Sequence, residues 1–123
     1  MTVGLSIASA NAALDALGGT LYAQMHSDDP GADGTSNVAF VTERVLTGLP
    51  LASSGSRALT TPVTWASVWS GGNQTVKYLS LWDASTAGNF ILSLVTNSDV
   101  EFIDGMIPRL NTLVLSAPSL AAD

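Results

Sequence analysis

Residues 60–82 read TTPVTWASVWSGGNQTVKYLSLW, and this stretch decides the fold class. It contains two apolar arms, residues 60–69 and 75–82, joined by the turn residues Gly71-Gly72-Asn73. Two apolar runs separated by a short glycine-containing turn are typical of a β-hairpin. The stretch therefore predicts two paired antiparallel strands.

The second arm of this stretch is apolar on both faces. Alternation places two sets of side chains on opposite sides of the strand: Val76, Tyr78, Ser80 and Trp82 on one, and Lys77, Leu79, Leu81 and Asp83 on the other. A strand at the edge of a sheet, or with one face in water, usually has one polar side. The pattern therefore predicts that residues 75–82 form a central strand.

Most of the remaining chain has the period of short strands separated by turns. Further strands are predicted at five places: residues 20–26, 38–46, 89–96, 100–103 and 110–116. Turn-rich connections are predicted between them: residues 27–37, 47–57 and 83–88. Seven or so short strands at this spacing predict a mainly β fold, either a single antiparallel β-sandwich or a jelly-roll-like barrel. We expect one domain over residues 1–123.

The two ends of the chain have a different character. Residues 1–19 form a predicted N-terminal helical segment, with a short amphipathic helix from Ser6, as N-cap, to Leu17 and a stop at Gly18-Gly19. The helix is expected to cover the protein's own sheet, and docking on a neighbouring subunit is the alternative. Residues 117–123 are interpreted as an extended C-terminal arm or, equally, as a frayed end.

The charge composition limits the possible functions. Only 11% of the residues are charged and 46% are hydrophobic, whereas an ordinary soluble domain has about 25% charged residues. This suggests a surface partly covered by other subunits, or one rich in Ser, Thr and Asn. The net charge is −6 and no Lys or Arg cluster is present, so we expect no nucleic-acid partner.

Other features exclude several cellular settings. The chain has no cysteine, which rules out disulfides and thiolate metal sites. No apolar run reaches the roughly 18 residues of a spanning helix, so no membrane association is expected. The first residues lack the basic region of a secretory signal.

Candidate catalytic residues are few. His26 is the only histidine, and an acid–base or nucleophilic site would require it together with Asp28, Asp29 or Asp33. Gly55 and Ser56 lie in a turn-rich segment and do not form a Gly-x-Ser-x-Gly elbow. We therefore expect that the chain is not an enzyme.

Acidic residues offer two further possibilities, and both have simpler explanations. Four acids are candidates by type for a glycosidase-like pair: Glu43, Asp83, Glu101 and Asp104. Residues 28–34, DDPGADG, resemble an oxygen-rich calcium loop but lack the EF-hand spacing and its terminal Glu. Solvated loop positions and metal-free turns explain these residues better, so no metal or cofactor is expected.

The three tryptophans have two readings. Trp65, Trp69 and Trp82 would form a carbohydrate platform if they were exposed in a row. Their positions in alternating strands instead favour packing in the core.

Three segments resemble a known family: residues 11–19 (NAALDALGG), 25–31 (MHSDDPG) and 81–90 (LWDASTAGNF). They are similar to small virion proteins from phages of actinobacteria that are described as tail fibre or minor tail proteins, some of which act as capsid decoration proteins. The resemblance extends to about Leu94 and implies a β-sandwich with a structural role. It provides no functional residues to transfer.

Two roles are compatible with this resemblance. A decoration, or cement, protein would bind the outer surface of the major capsid protein lattice, self-associate, with a homotrimer expected, and stabilise the head. A minor tail or tail-fibre protein would instead contribute to host attachment. We favour decoration because the chain has no long shaft. A carbohydrate-binding module is the weaker third possibility.

Overall fold

The computed structural model describes residues 7–18, 20–52 and 56–116. The predicted C-terminal arm, the proposed helix cap Ser6, and Gly19 and Gly55 lie outside the described residues. The described chain contains one helix, α1 (Ile7–Asp15). Its strands are β1 (Tyr22–His26), β2 (Val45–Leu46), β3 (Ser56–Ala58), β4 (Val63–Thr64), β5 (Gln74–Trp82), β6 (Phe90–Phe102), β7 (Arg109–Leu110) and β8 (Val114–Ser116).

The main sheet has four antiparallel strands in the order β2-β1-β5-β6. Two further pairs, β3–β8 and β4–β7, form separate two-stranded antiparallel ribbons. The predicted mainly β, antiparallel fold is confirmed, whereas the barrel alternative is wrong because the described strands do not close on themselves. The prediction that residues 75–82 form a central strand is also confirmed, since β5 lies between β1 and β6.

The hairpin predicted for residues 60–82 is wrong. Strand β4 pairs with β7, with Val63 opposite Leu110, and both edges of β5 are taken by β1 and β6. The physical reason is that β5 is apolar on both faces and needs two long partners, whereas the first arm buries Trp65 and Trp69 in the core. The turn at Gly71-Gly72 therefore leads into β5 without pairing the two arms.

Strand boundaries also differ from prediction elsewhere. Only Val45–Leu46 of the predicted strand 38–46 is a strand, and Val38 forms an isolated bridge with His26. The two strands predicted at 89–96 and 100–103 are one continuous β6. Its pairing with β5 shifts register after Val95, where a bulge accommodates the polar residues that suggested a break.

Register places one set of apolar residues of the main sheet together on the same face. Ala23 lies opposite Leu81, Met25 opposite Leu79, and Leu79 and Leu81 lie opposite Leu94 and Leu92 on the other side. This face belongs to one cluster of buried side chains that joins α1 with strands of all three sheets. The apolar area removed from water there, at about 25 cal/mol per Å², is the main stabilising contribution to the fold.

Helix α1 packs on the β3–β8 ribbon, with Leu14 buried in the common core. It therefore covers part of the protein's own β-structure. After Asp15 the chain leaves the helix through Gly18, whose φ of 111° is accessible mainly to glycine. The Asp15 carboxylate, which lies at the negative end of the helix, accepts a hydrogen bond from the Ala52 amide at 2.7 Å. Asp15 thus fixes the helix to the segment before β3.

Arg57, in β3, is fully buried beneath the C-terminal end of α1. Its guanidinium donates to the carbonyl oxygens of Leu14 at 3.1 Å and Gly18 at 2.8 Å. It also donates to the carbonyls of Pro50 at 3.0 Å and Leu49 at 3.4 Å. The positive charge thus faces carbonyls at the negative end of the helix dipole, which offsets part of its desolvation cost.

Candidate functional site

The outer edge of β6 is free of pairing to any described strand. β6 is the last strand in the sheet order and is 13 residues long. Natural edge strands are usually short or carry Lys or Pro, which discourages pairing with other chains. Residues 90–98 contain no Pro and no charged residue. Along residues 90–98 this edge has none of these protections, which makes it a candidate interface; Asp99 and Glu101 follow near the end of the strand.

An apolar groove of about 470 Å³ lies beside this edge. We call it the β6 groove; its lining residues are Leu79, Leu94, Val95, Thr96, Val100, Leu110, Asn111, Thr112, Leu113 and Val114. None of them is charged. Val95 on its rim is 70% exposed, the highest value among the exposed large apolar side chains of the described part. A protruding valine beside an uncharged groove is typical of a protein contact surface.

A second apolar surface surrounds Trp69. The Trp69 indole is buried and stacks on Phe102 with ring centroids 4.8 Å apart. Five exposed apolar residues lie on or next to the segments that contact it: Phe40, Val68, Ile103, Met106 and Ile107. The backbone holds this arrangement, because Trp69 N–H donates to the Met106 carbonyl and Gly105 N–H donates to the Trp69 carbonyl. We call this the Trp69 surface.

His26 lies on the second face of the main sheet, within a closed hydrogen-bond network. Its Nδ1 is 2.8 Å from the Ser36 carbonyl oxygen, which can only accept, so Nδ1 carries the proton. Its Nε2, 2.7 Å from Ser80 Oγ, then accepts from that hydroxyl, and Ser80 Oγ accepts from Trp82 Nε1 at 2.8 Å. Within this network no buried side-chain nitrogen or oxygen lacks a hydrogen-bond partner.

This network resembles a nucleophile–base pair but is not accessible to a substrate. His26 and Ser80 are both fully buried. Burial lowers the pKa of His26 below its ordinary 6.5, which keeps the ring neutral. The predicted orienting carboxylates do not contact the imidazole; its partners are Ser36 and Ser80. The network therefore fastens the 27–44 loop to the sheet.

Three acids of that loop, Asp28, Asp29 and Asp33, stabilise its turns. Asp29 accepts from the Gly31 amide at 2.9 Å, and Asp28 accepts from the Asp29 amide at 2.8 Å. Asp33 accepts from the Thr35 hydroxyl, which lowers the pKa of its carboxyl. Within the described ranges no three His, Cys, Asp or Glu side chains come together to hold a metal. The structure therefore gives these residues roles in the loop itself.

The four candidate glycosidase acids are not brought together as a pair. Asp83 accepts from the Asn89 amide and side chain in the turn before β6, which lowers the pKa of Asp83. Glu43 accepts from the Ser67 amide at 3.3 Å and Asp104 from the Gly72 amide at 3.0 Å. Glu101 is exposed on β6. Of the proposed serine motif, Ser56 pairs with Ser116 in the β3–β8 ribbon.

All three tryptophans are buried, which confirms the prediction of core packing. Trp65 donates its indole N–H to the Glu43 carbonyl and Trp69 donates to that of Gly72. Trp82 lies on the second face of the sheet, where the Arg44 guanidinium is 3.6 Å from its ring centroid. A row of exposed stacking rings is therefore not available for a sugar.

The comparisons with known proteins identify the family. The sequence model of the family Gp80, Podophage GP4 fiber I protein gp80, matches residues 6–115. The chain belongs to this family. It is accordingly a phage structural protein of the virion. The description of the family names a fibre protein, and names neither a capsid position nor an actinobacterial host. No curated protein matched the chain.

Sequence reasoning missed the β6 groove and the buried Arg57. The uncharged run at residues 90–98 could have indicated the β6 groove, because it is longer than the uncharged stretch of a typical half-buried strand. Arg57 left no signal, because one arginine in a turn-rich segment normally lies in solvent. Within the described residues, no helix is long and apolar enough to cross a membrane.

Proposed function

We propose that this chain is a non-enzymatic structural subunit of a phage fibre, which joins the fibre by packing its apolar surfaces against neighbouring subunits. The family match over residues 6–115, with its fibre description, carries this proposal. The β6 groove and the Trp69 surface support it, since both offer exposed apolar side chains to a protein partner and no residue that lines the groove is charged.

The mechanism is the burial of apolar and backbone surface. Aliphatic side chains such as Val95 and Ile107, 70% and 58% exposed, would lose their contact with water in the assembly. The low content of charged residues favours such packing, because few charges need to be desolvated. The buried His26–Ser80 pair contributes to the fold of the subunit and to no reaction.

Capsid decoration is the second candidate, and one observation favours it. The described residues share a single core and contain no elongated shaft of the kind that projects a fibre head. In this role the chain would bind the outer surface of the major capsid protein lattice and stabilise the head. Self-association as a homotrimer, as expected for a decoration protein, belongs to this candidate.

The copy number of the chain in purified particles tests both roles. Quantitative mass spectrometry against the major capsid protein, with cryo-electron microscopy for position, would count and locate the subunits. A small number of copies on fibres supports the proposal. Hundreds of copies on the shell would replace it with decoration, and absence from particles would overturn both.

A further inference from the structure

We propose that residues 27–37 form a flap that lifts from the second face of the main sheet when His26 takes up a proton, while the sheet itself remains folded. The flap ends where the chain enters the core at Ala39 and Val41. This movement goes beyond the structural role proposed above and does not depend on it. It would make the buried histidine a pH-sensitive latch.

The flap is closed at its base and bonded within itself. The Ser27 amide donates to the Asn37 carbonyl at 2.9 Å, and the Asn37 side-chain amide donates to the Asp29 carbonyl at 2.8 Å. The Ser36 amide donates to the Pro30 carbonyl at 2.9 Å. Lifting the flap breaks none of these bonds, because both partners of each bond lie within it. The flap can therefore move as one unit.

The interior of the flap contacts the sheet at few points. Most of its residues are exposed, whereas Pro30 and Gly34 are buried. Gly34 lies so close to the Phe90 ring that an added Cβ would overlap it. The Ser36 carbonyl accepts from His26 Nδ1 at 2.8 Å. A segment with so little buried surface can open locally at a lower free energy than the whole fold.

His26 lies where a positive charge is unfavourable while the flap is closed. The ring is fully buried, and its partners, the Ser36 carbonyl and the Ser80 hydroxyl, are uncharged. A protonated ring would also have to donate from Nε2, where the neutral ring accepts from Ser80. Burial accordingly lowers the pKa of His26. Lifting the flap would admit water to the imidazolium and remove most of this cost.

The surrounding ionisable groups do not compensate for the charge. Among the described residues, no charged side chain contacts the imidazole. The flap acids accept hydrogen bonds within their own turns, and the Arg44 guanidinium, itself positive, lies on the Trp82 ring. The ionisable side chains in and beside the elements around His26 are Tyr22, Asp28, Asp29, Asp33, Glu43, Arg44, Tyr78 and Asp83.

The direction of the pH effect follows from this difference between the two states. With the flap lifted, the hydrated ring titrates near its ordinary pKa of 6.5. Above that pH both states are neutral and their ratio is constant. Below it the lifted state binds protons first, so the ratio of lifted to closed flap rises as pH falls. Between pH 7.5 and 5.5 linkage allows an increase of up to about tenfold.

The test is deuterium exchange at the Cε1 carbon of the His26 ring in the wild-type chain, a reaction that requires contact between the ring and solvent. The chain has one histidine, so mass spectrometry of the peptide that contains it reports on His26 alone. The exchange rate in the folded chain, divided by the rate in the chain unfolded by concentrated urea, gives the open fraction at each pH. We expect this fraction to rise several-fold from pH 7.5 to 5.5.

A low concentration of urea separates flap lifting from global unfolding. Exchange through global unfolding would accelerate about fivefold or more in about 1 M urea, because the free energy of unfolding falls with the surface exposed. Lifting the flap exposes little surface, so we expect a change of less than about twofold. Pro30→Ala removes a buried contact of the flap and should raise the open fraction about tenfold. Ala32→Ser, at an exposed position in the same flap, is the matched control and should leave it unchanged.

Exchange that rises at low pH, is insensitive to about 1 M urea and responds to Pro30→Ala alone supports the proposal. Equal open fractions at both pH values would overturn it, as would acceleration by urea in step with global unfolding. An unchanged rate in Pro30→Ala, or equal responses to both substitutions, would overturn it too. Thermal melts establish that the variants are folded. If Pro30→Ala does not fold, the pH and urea responses of the wild type decide the question.

Discussion

Replacing Arg57 by methionine tests how a buried cation that donates to four backbone carbonyls stabilises this fold. Methionine keeps an unbranched apolar chain about as long as the aliphatic part of arginine but removes the donors. Three of the hydrogen bonds to carbonyls are 3.1 Å or shorter and the fourth, to Leu49, is 3.4 Å. Counting about 1 kcal/mol for each of the three short bonds, we expect Arg57→Met to lose about 3 kcal/mol of unfolding free energy.

The assay is urea unfolding of the isolated protein, followed by tryptophan fluorescence, with hydrogen exchange to locate the effect. The amides of α1 should exchange faster in the variant, because Arg57 holds the carbonyls of Leu14 and Gly18. Arg57→Lys serves as the control, since it keeps the charge but cannot reach all four carbonyls. Its free energy of unfolding should lie between those of the wild type and Arg57→Met. An Arg57→Met protein as stable as the wild type would refute the reasoning, because desolvation of the guanidinium would then outweigh its hydrogen bonds.

Two further predictions concern the second face of the main sheet. Because burial lowers the pKa of His26, the unfolded chain takes up the proton first, and stability should fall as pH drops below 6.5, by at most about 1.4 kcal/mol per pH unit. Urea unfolding at pH 7.5 and 5.5 measures this loss. Gly34→Ala should destabilise by about 2 kcal/mol or more, since φ is 75° and an added Cβ would overlap the Phe90 ring. Thermal melting measures it.

Each of these predictions has a control. His26→Gln should remove the pH dependence of stability between pH 7.5 and 5.5. Asp33 and Asp83 titrate below this range, because their pKa values are lowered from 3.8. A wild type with equal stability at both pH values would contradict the assignment. Gly48→Ala, at a φ of 64° but with nothing within 4 Å of the added Cβ, should cost only about 1 kcal/mol. Equal losses of stability in both glycine variants would show that the Phe90 ring moves aside without loss of stability.

The sequence was sufficient to predict the parts of the fold that depend on local alternation. Strands β1 and β5 follow from the alternation of side chains between two faces, and the central position of β5 follows from apolar residues on both of its faces. The burial of the tryptophans followed from the same pattern. These features need no information about distant segments.

The pairing of the strands could not be predicted in the same way. Residues 60–69 are next to 75–82 in the sequence and were therefore predicted to pair with them, whereas in the structure β5 pairs with β1 and β6. Similarly, the charge of Arg57 indicated a solvent-exposed position. Only the fold brings four backbone carbonyls around its guanidinium. The β6 groove depends on residues 110–114 meeting β6, a contact between segments whose local patterns do not indicate each other.

The position of β1 beside β5 has a consequence for biosynthesis. Strand β1 is synthesised early, but its partner β5 leaves the ribosome dozens of residues later. At about 5–20 residues per second, this delay lasts several seconds. During that interval β1 and the 27–44 loop have no sheet on which to pack. The β5–β6 hairpin is local and can form as soon as it emerges, with β1 added afterwards. The packing of β1 and the 27–44 loop therefore has to follow the synthesis of β5, which makes them a late-folding part of the main sheet.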